Sequence, residues 1–177
     1  MTAFAPWKEQ KIVVTGATSG IGKMITEILL ERGATVFGVG RNLDKLHNLA
    51  KHYPKRLTTY QADLSDLEVT RGLMRVACDS MGQVTGLFAV AGGIEHQLFG
   101  AIDDAAWLRQ MNLNLRVPTI LLEESLKVVN ANASAVILGS TLGEHPIATS
   151  TAYSAAKAGL EAVVKVAAVA GAKEGLR

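Results

Sequence analysis

Tyr153 and Lys157 stand four residues apart in a segment of helical spacing, which puts both side chains on one face. A phenol is a poor acid or base at neutral pH, its ordinary pKa lying near ~10. An ammonium group close by favours the phenolate and makes the tyrosine a usable proton donor or acceptor. Taken alone, the pair reads equally well as an amphipathic tyrosine beside a lysine reaching into solvent. Ser140 shifts that balance. It lies thirteen residues before Tyr153 at the end of the apolar run 135–138, where a hydroxyl can face the same cleft. With Gly143 included, the chain reads Ser140-Thr141-Leu142-Gly143, then Tyr153-Ser154-Ala155-Ala156-Lys157.

Asn114 enters by a different argument. In an α-helix the carbonyl of residue 114 accepts the N–H of residue 118, and Pro118 has none. A carbonyl left free can hold a water and extend a proton relay from Lys157. The alternative is a helix kinked at proline with no functional consequence.

Residues 15–22 read Thr-Gly-Ala-Thr-Ser-Gly-Ile-Gly. They follow the apolar run 12–14 and precede Ile21, Met24, Ile25, Ile28 and Leu29, which recur at helical spacing until Gly33. Strand, glycine turn and helix form the opening of a nucleotide-binding βαβ unit. Gly16, Gly20 and Gly22 let the backbone approach a pyrophosphate, and the helix start offers it free N–H groups and a positive dipole end. The spacing G-x-x-x-G-x-G differs from G-x-G-x-x-G, and a tight turn without a ligand is the other reading. At the end of the second strand, where NAD sites usually place a carboxylate, stand Gly40 and Arg41. Glycine leaves room for a 2′-phosphate and a guanidinium pairs with it, so NADP(H) is expected in preference to NAD(H). Arg41 as an ordinary solvated charge is the competing reading.

The elements that must position these residues alternate. Strands are expected at 35–39, 57–60, 86–90 and 135–138. Helices are expected from the Asn42 cap through Tyr53, from a Ser65–Glu68 capping box to Met81 with Gly82 as terminator, over 103–129 with a break at Pro118, and over 151–172. Alternation of this kind predicts an α/β fold, a Rossmann-like doubly wound parallel sheet with helices on both faces. Its ligands lie beyond the carboxyl ends of the strands, where Gly16–Gly22, Gly40-Arg41, Asp63, Ala91–Gly93 and Ser140 all fall.

The 177 residues fit one dinucleotide-binding domain. Apolar residues make up 49% and charged residues 19%, and a net charge of +2 gives no basic excess that would suggest nucleic acid. The single Cys78 excludes an intramolecular disulfide and a zinc site of several thiolates, and is expected as a small buried hydrophobe. No carboxylate–histidine spacing supports a metal site. Residues 1–10 lack a signal-peptide core, and no apolar stretch spans a bilayer, so a cytoplasmic location is expected.

The glycine stretch, Ser140, Tyr153 and Lys157, taken in order, resemble the short-chain dehydrogenase/reductase family, of the simple rather than extended type. The likeness covers residues 11–177. It implies Tyr153 as catalytic acid/base, Lys157 as the group that assists it and holds the nicotinamide ribose, and Ser140 as a hydrogen-bonding partner of the substrate oxygen. It implies Asn114, seven residues after Trp107, as the active-site asparagine, with Asn112 two residues short of that register. Gly16, Thr18, Ser19, Gly20, Ile21, Gly22 and Arg41 would bind the cofactor. Asp63 would contact the adenine, and Leu64, Ala91 and Gly92 complete the expected cofactor set. A homodimer or homotetramer built on the last helix and the helix through Asn114 is also implied.

Two features depart from the family. Where it usually has Asn-Asn-Ala-Gly, this chain has Ala89-Val90-Ala91-Gly92, losing an asparagine that braces the central strands. The family also continues past Arg177 into a sixth strand and a substrate-covering segment, so the domain is expected to be incomplete at its C-terminus, with the fifth strand as a bare edge. The expected function is NADP(H)-dependent interconversion of a small-molecule carbonyl and a secondary alcohol. A protein that binds the dinucleotide or partners without turnover is the alternative, and an epimerase or dehydratase using the same Tyr–Lys pair is a third. Glu95, His96, Leu98, Phe99, Glu144, His145 and Ile147 are either pocket-lining or solvated loop residues.

Overall fold

The computed structural model describes residues 6–177, apart from the side chains of residues 130–132. Five strands, β1 (Lys11–Thr15), β2 (Thr35–Gly40), β3 (Leu57–Gln61), β4 (Val84–Ala89) and β5 (Val129–Ile137), form one parallel sheet in the order β3-β2-β1-β4-β5. The order reverses between β1 and β4, which opens a crevice at their carboxyl ends. Thr15 is paired with Val39 on one side and Ala89 on the other.

Among the described residues there are six α-helices, α1 (Gly20–Glu31), α2 (Leu43–His52), α3 (Leu67–Met81), α4 (Asp104–Met111), α5 (Val117–Val128) and α6 (Thr151–Gly171), of which α1, α2, α3 and α5 pack on the sheet. Alternate strand residues serve opposite faces. Val13, Phe37 and Leu87 pack with Leu73, Met74 and Ala77 of α3 and with Val117 and Leu121 of α5. Ile12, Val14 and Val36 pack with Leu29 and Leu30 of α1 and Leu49 of α2. This gives the sheet an apolar core on each face. Cys78 is only half-buried, packed at the margin of the first core.

Local signals act as expected at two ends. Asn42 caps α2 by accepting from Lys45 N–H at 2.9 Å, and Gly82 ends α3 in the left-handed region at φ 76°. Elsewhere the structure differs. Asp66, not Ser65, caps α3, accepting from the N–H groups of Glu68 and Val69. Ser65 is instead turned back to Asp63. The long helix expected over 103–129 is three pieces, because residues Asn112–Arg116 form a π turn between α4 and α5. Val117 N–H bonds Asn112 O, an i→i+5 pairing, so the argument that freed the Asn114 carbonyl in an α register lapses. The outer edge of β5 is not bare. Arg177 N–H donates to Ala133 O at 3.0 Å and Ala135 N–H donates to Arg177 O at 2.7 Å.

Candidate active site

The turn after β1 depends on glycine at two of its positions. Gly16 adopts φ 73°, and a β-carbon there would press on the Ala91 backbone at 3.2 Å. On Gly22 a β-carbon would overlap the Gly16 carbonyl, so α1 can seat against the turn only with glycine at that position. Gly20, at φ 49°, faces open space with nothing within 4 Å. Ser19 precedes α1 without a side-chain capping bond, which leaves the first-turn N–H groups to a ligand.

A cleft of about 950 Å³ runs from this turn along the strand ends. Gly16, Thr18, Ser19, Gly40, Arg41, Asp63, Leu64, Ala91 and Gly92 line it, as do Lys45, Gln110 and Leu113, which sequence reasoning passed over. Gly20, Ile21 and Gly22, at the start of α1, are not among the residues that line it. Gly40 has a different reason from the one its position suggested. A β-carbon there would lie 2.9 Å from the Thr18 methyl and hydroxyl, so Thr18 already fills the space that glycine leaves. Asp63 Oδ1 accepts from Ser65 N–H at 3.0 Å and Ser65 Oγ–H at 2.8 Å. These bonds, and to a lesser extent the charge of Arg41, hold its carboxyl below the usual aspartate range.

The loop after β4 is braced from two sides. Thr15 Oγ1, fully buried at the end of β1, accepts from Val90 N–H at 3.0 Å and Ala91 N–H at 3.1 Å. Asn114 Oδ1 accepts from Gly93 N–H at 3.2 Å, while its Nδ2 donates to Gly93 O at 2.9 Å. Together they supply the bracing that the missing asparagine was expected to remove. Thr15 was not foreseen, since a threonine at a strand end announces no partner 75 residues away. The structure also separates Asn114 from Asn112: the first is buried and the second faces the cleft.

Tyr153 and Lys157 share the inner face of α6. Lys157 Nζ lies 5.7 Å from the Tyr153 ring centroid and donates to Leu138 O at 2.7 Å. Lys157 is buried, and burial pushes its pKa below the ordinary lysine value. A β-carbon on Gly92 would lie 2.9 Å from Asn114 Oδ1 and 3.9 Å from Lys157 Nζ, so Gly92 joins the cleft to the Tyr–Lys pair. Gly143 permits another close approach: a β-carbon there would be 3.2 Å from Ala158 N and 3.3 Å from the Lys157 carbonyl carbon. Ser140 Oγ accepts from Leu142 N–H at 3.2 Å, keeping its proton available to a substrate oxygen.

Among the remaining loop residues, Glu95 lines the cleft and is paired through both carboxylate oxygens to Arg109, at 2.7 and 3.3 Å. His96 Nδ1 lies 3.0 Å from Thr149 Oγ1, and Gln97 forms a parallel bridge with Ser150. Leu98, Phe99, Glu144, His145 and Ile147 are exposed.

Residues 10–177 match the short chain dehydrogenase family. The chain belongs to that family. Its members are NAD(P)-dependent oxidoreductases. A cis-4-hydroxycyclohexanecarboxylate dehydrogenase of Sinomonas cyclohexanicum is 33% identical over 174 residues, spanning 96% of this chain and 70% of that one. A short-chain oxidoreductase of Pseudomonas aeruginosa PAO1 with an atypical catalytic centre is 29% identical. Its apo structure superposes with a TM-score of 0.89, covering 98% of this chain and 69% of that one. The NADPH-bound form superposes with a TM-score of 0.84, over 96% and 69%. The residues of the cleft fit a dinucleotide: an uncapped helix start at Ser19, the left-handed Gly16 and a polar lining that includes Arg41 and Lys45.

Proposed function

We propose that this chain interconverts a small-molecule carbonyl and a secondary alcohol, with NADP(H) as preferred cofactor and Tyr153 as acid/base. The observation that carries this reading is the position of Lys157, buried, bonded to Leu138 O and 5.7 Å from the Tyr153 ring. When bound, the nicotinamide supplies or accepts the hydride. In the reductive direction Tyr153 gives its phenolic proton to the carbonyl oxygen, and Ser140 donates a hydrogen bond to the same oxygen. The Lys157 charge stabilises the negative charge that Tyr153 acquires. Gly92 and the clamped loop hold the cofactor cleft against that face.

NADP(H) is favoured by Arg41, assisted by Lys45, at the end of the cleft lined by Gly40. No carboxylate stands at residue 40 to compete with a 2′-phosphate. A homo-oligomer is favoured by α6, where Val166 and Val169 are exposed. A cytoplasmic place of work is consistent with the absence, among the described residues, of a helix long and apolar enough to cross a membrane.

The test is turnover by the purified protein with NADPH and a panel of cyclic and linear ketones, followed by loss of reduced-nicotinamide absorbance. Ketone-dependent oxidation of NADPH is the expected result. Tight NADPH binding without turnover on any panel member would support a binding subunit instead.

A further inference from the structure

Gln110 has a hydrogen-bond donor to spare. It sits on the inner face of α4, one turn from Ala106 and one from Asn114, and is 5% exposed. Asn114 Nδ2 donates to Gln110 O at 3.1 Å and to Gln110 Oε1 at 3.3 Å. Nδ2 has two protons, one given to Gly93 O and one shared between Gln110 O and Gln110 Oε1; because it can only donate, the Gln110 carboxamide is oriented with its oxygen toward Nδ2. Its Nε2 bonds no other group among the described residues, yet no polar side-chain atom among them is sealed in the interior without a partner. Nε2 therefore opens onto the cleft that Gln110 lines.

The same cleft is lined by Asp63, by the apolar Leu64 and Leu113, and by Ala91. A carboxylate acceptor, an amide donor and apolar side chains are the complement of adenine, which offers an amino donor, ring-nitrogen acceptors and two flat faces. We propose that Gln110 contacts the cofactor, donating from Nε2 to an acceptor nitrogen of the adenine ring. The other end of the carboxamide holds Asn114, so one side chain joins the adenine site to the clamp on Gly93. This assignment rests on the dinucleotide reading of the cleft.

Adenosine, which is uncharged, is the probe, titrated against the protein by displacement of NADPH fluorescence. Gln110→Glu keeps an oxygen for Asn114 Nδ2 but presents no donor to the base, whereas Gln110→Met supplies neither. Adenosine affinity is expected to fall about tenfold in both variants, the scale of one lost hydrogen bond. A loss confined to Gln110→Met means that the residue only braces Asn114, and it overturns the proposal. Unchanged affinity in both variants overturns it equally while leaving the dinucleotide reading intact. If the unaltered protein binds neither NADPH nor adenosine, the dinucleotide reading fails and the Gln110 contact with it.

Discussion

The carboxamide of Asn114 pairs with both backbone polar groups of Gly93, accepting from its N–H at 3.2 Å and donating to its carbonyl at 2.9 Å. This two-point clamp fixes the loop that separates the cleft from Lys157. Asn114→Leu, close in volume, should lower unfolding free energy by about 1–2 kcal/mol, a modest loss because Gly93 can turn to water. Thr15→Val removes the hydroxyl that takes the Val90 and Ala91 N–H groups and should cost about as much. Urea denaturation checks both, and an unchanged midpoint in either variant would refute the bracing role of that residue.

Tyr153→Phe should abolish turnover while leaving dinucleotide affinity within about twofold, since the glycine turn and cleft carry binding. Lys157→Met should damage both, because the ammonium serves the tyrosine and, by resemblance, the nicotinamide ribose. Steady-state kinetics beside NADPH fluorescence titration separates the two effects. Substantial activity in Tyr153→Phe would remove the tyrosine from the mechanism.

Arg41→Ala should weaken NADPH binding by about tenfold or more and leave NADH little changed, because only the former carries a 2′-phosphate. Lys45→Ala should act in the same direction more weakly. Equal losses for both cofactors would show that Arg41 does not read the phosphate.

Lys157 sets a pH dependence whose sign follows from its burial. Its folded-state pKa lies below the ordinary lysine value near ~10.4, so within that interval the unfolded chain binds more protons than the folded one. Stability contributed at this site therefore rises as pH climbs through the interval and is flat below it. Asp63 has the same sign at the acid end: its depressed pKa gives stability that is present above the ordinary aspartate value and lost as pH falls through the folded one. Denaturation midpoints of the unaltered chain and Lys157→Met, compared across alkaline pH, should converge or diverge only in the upper interval. Parallel curves there would contradict the burial effect.

Val164, Val166 and Val169 of α6 and Leu108 of α4 are exposed on a helix pair that includes the active-site elements. Side chains of this kind are expected to meet a second copy across a two-fold axis. Analytical ultracentrifugation should find a dimer or tetramer at micromolar concentration. A monodisperse monomer would exclude this interface.

Local chemistry was enough for much of the fold. Apolar runs gave the strands, Asn42 and Gly82 bounded their helices through bonds to residues a few positions away, and the glycine turn showed where α1 begins. Tyr153 and Lys157 were legible because helical geometry alone brings residues four apart together. The tertiary structure decided the rest. Gly40 is glycine because Thr18 occupies its side-chain space, Asn114 reaches Gly93 across 21 residues, and Thr15 reaches Val90 across 75. Asp66 rather than Ser65 became the cap of α3 once Ser65 was bound to Asp63, and the π turn at Asn112–Arg116 replaced a proline kink. The Thr18, Gly93 and Val90 contacts depend on which strand lies beside which, whereas the Asp66 cap and the π turn are local choices between competing hydrogen bonds. A sequence fixes hydrogen bonds between near neighbours through backbone geometry, but partners distant in the chain are set only when the β1–β4 pairing brings their strand ends together.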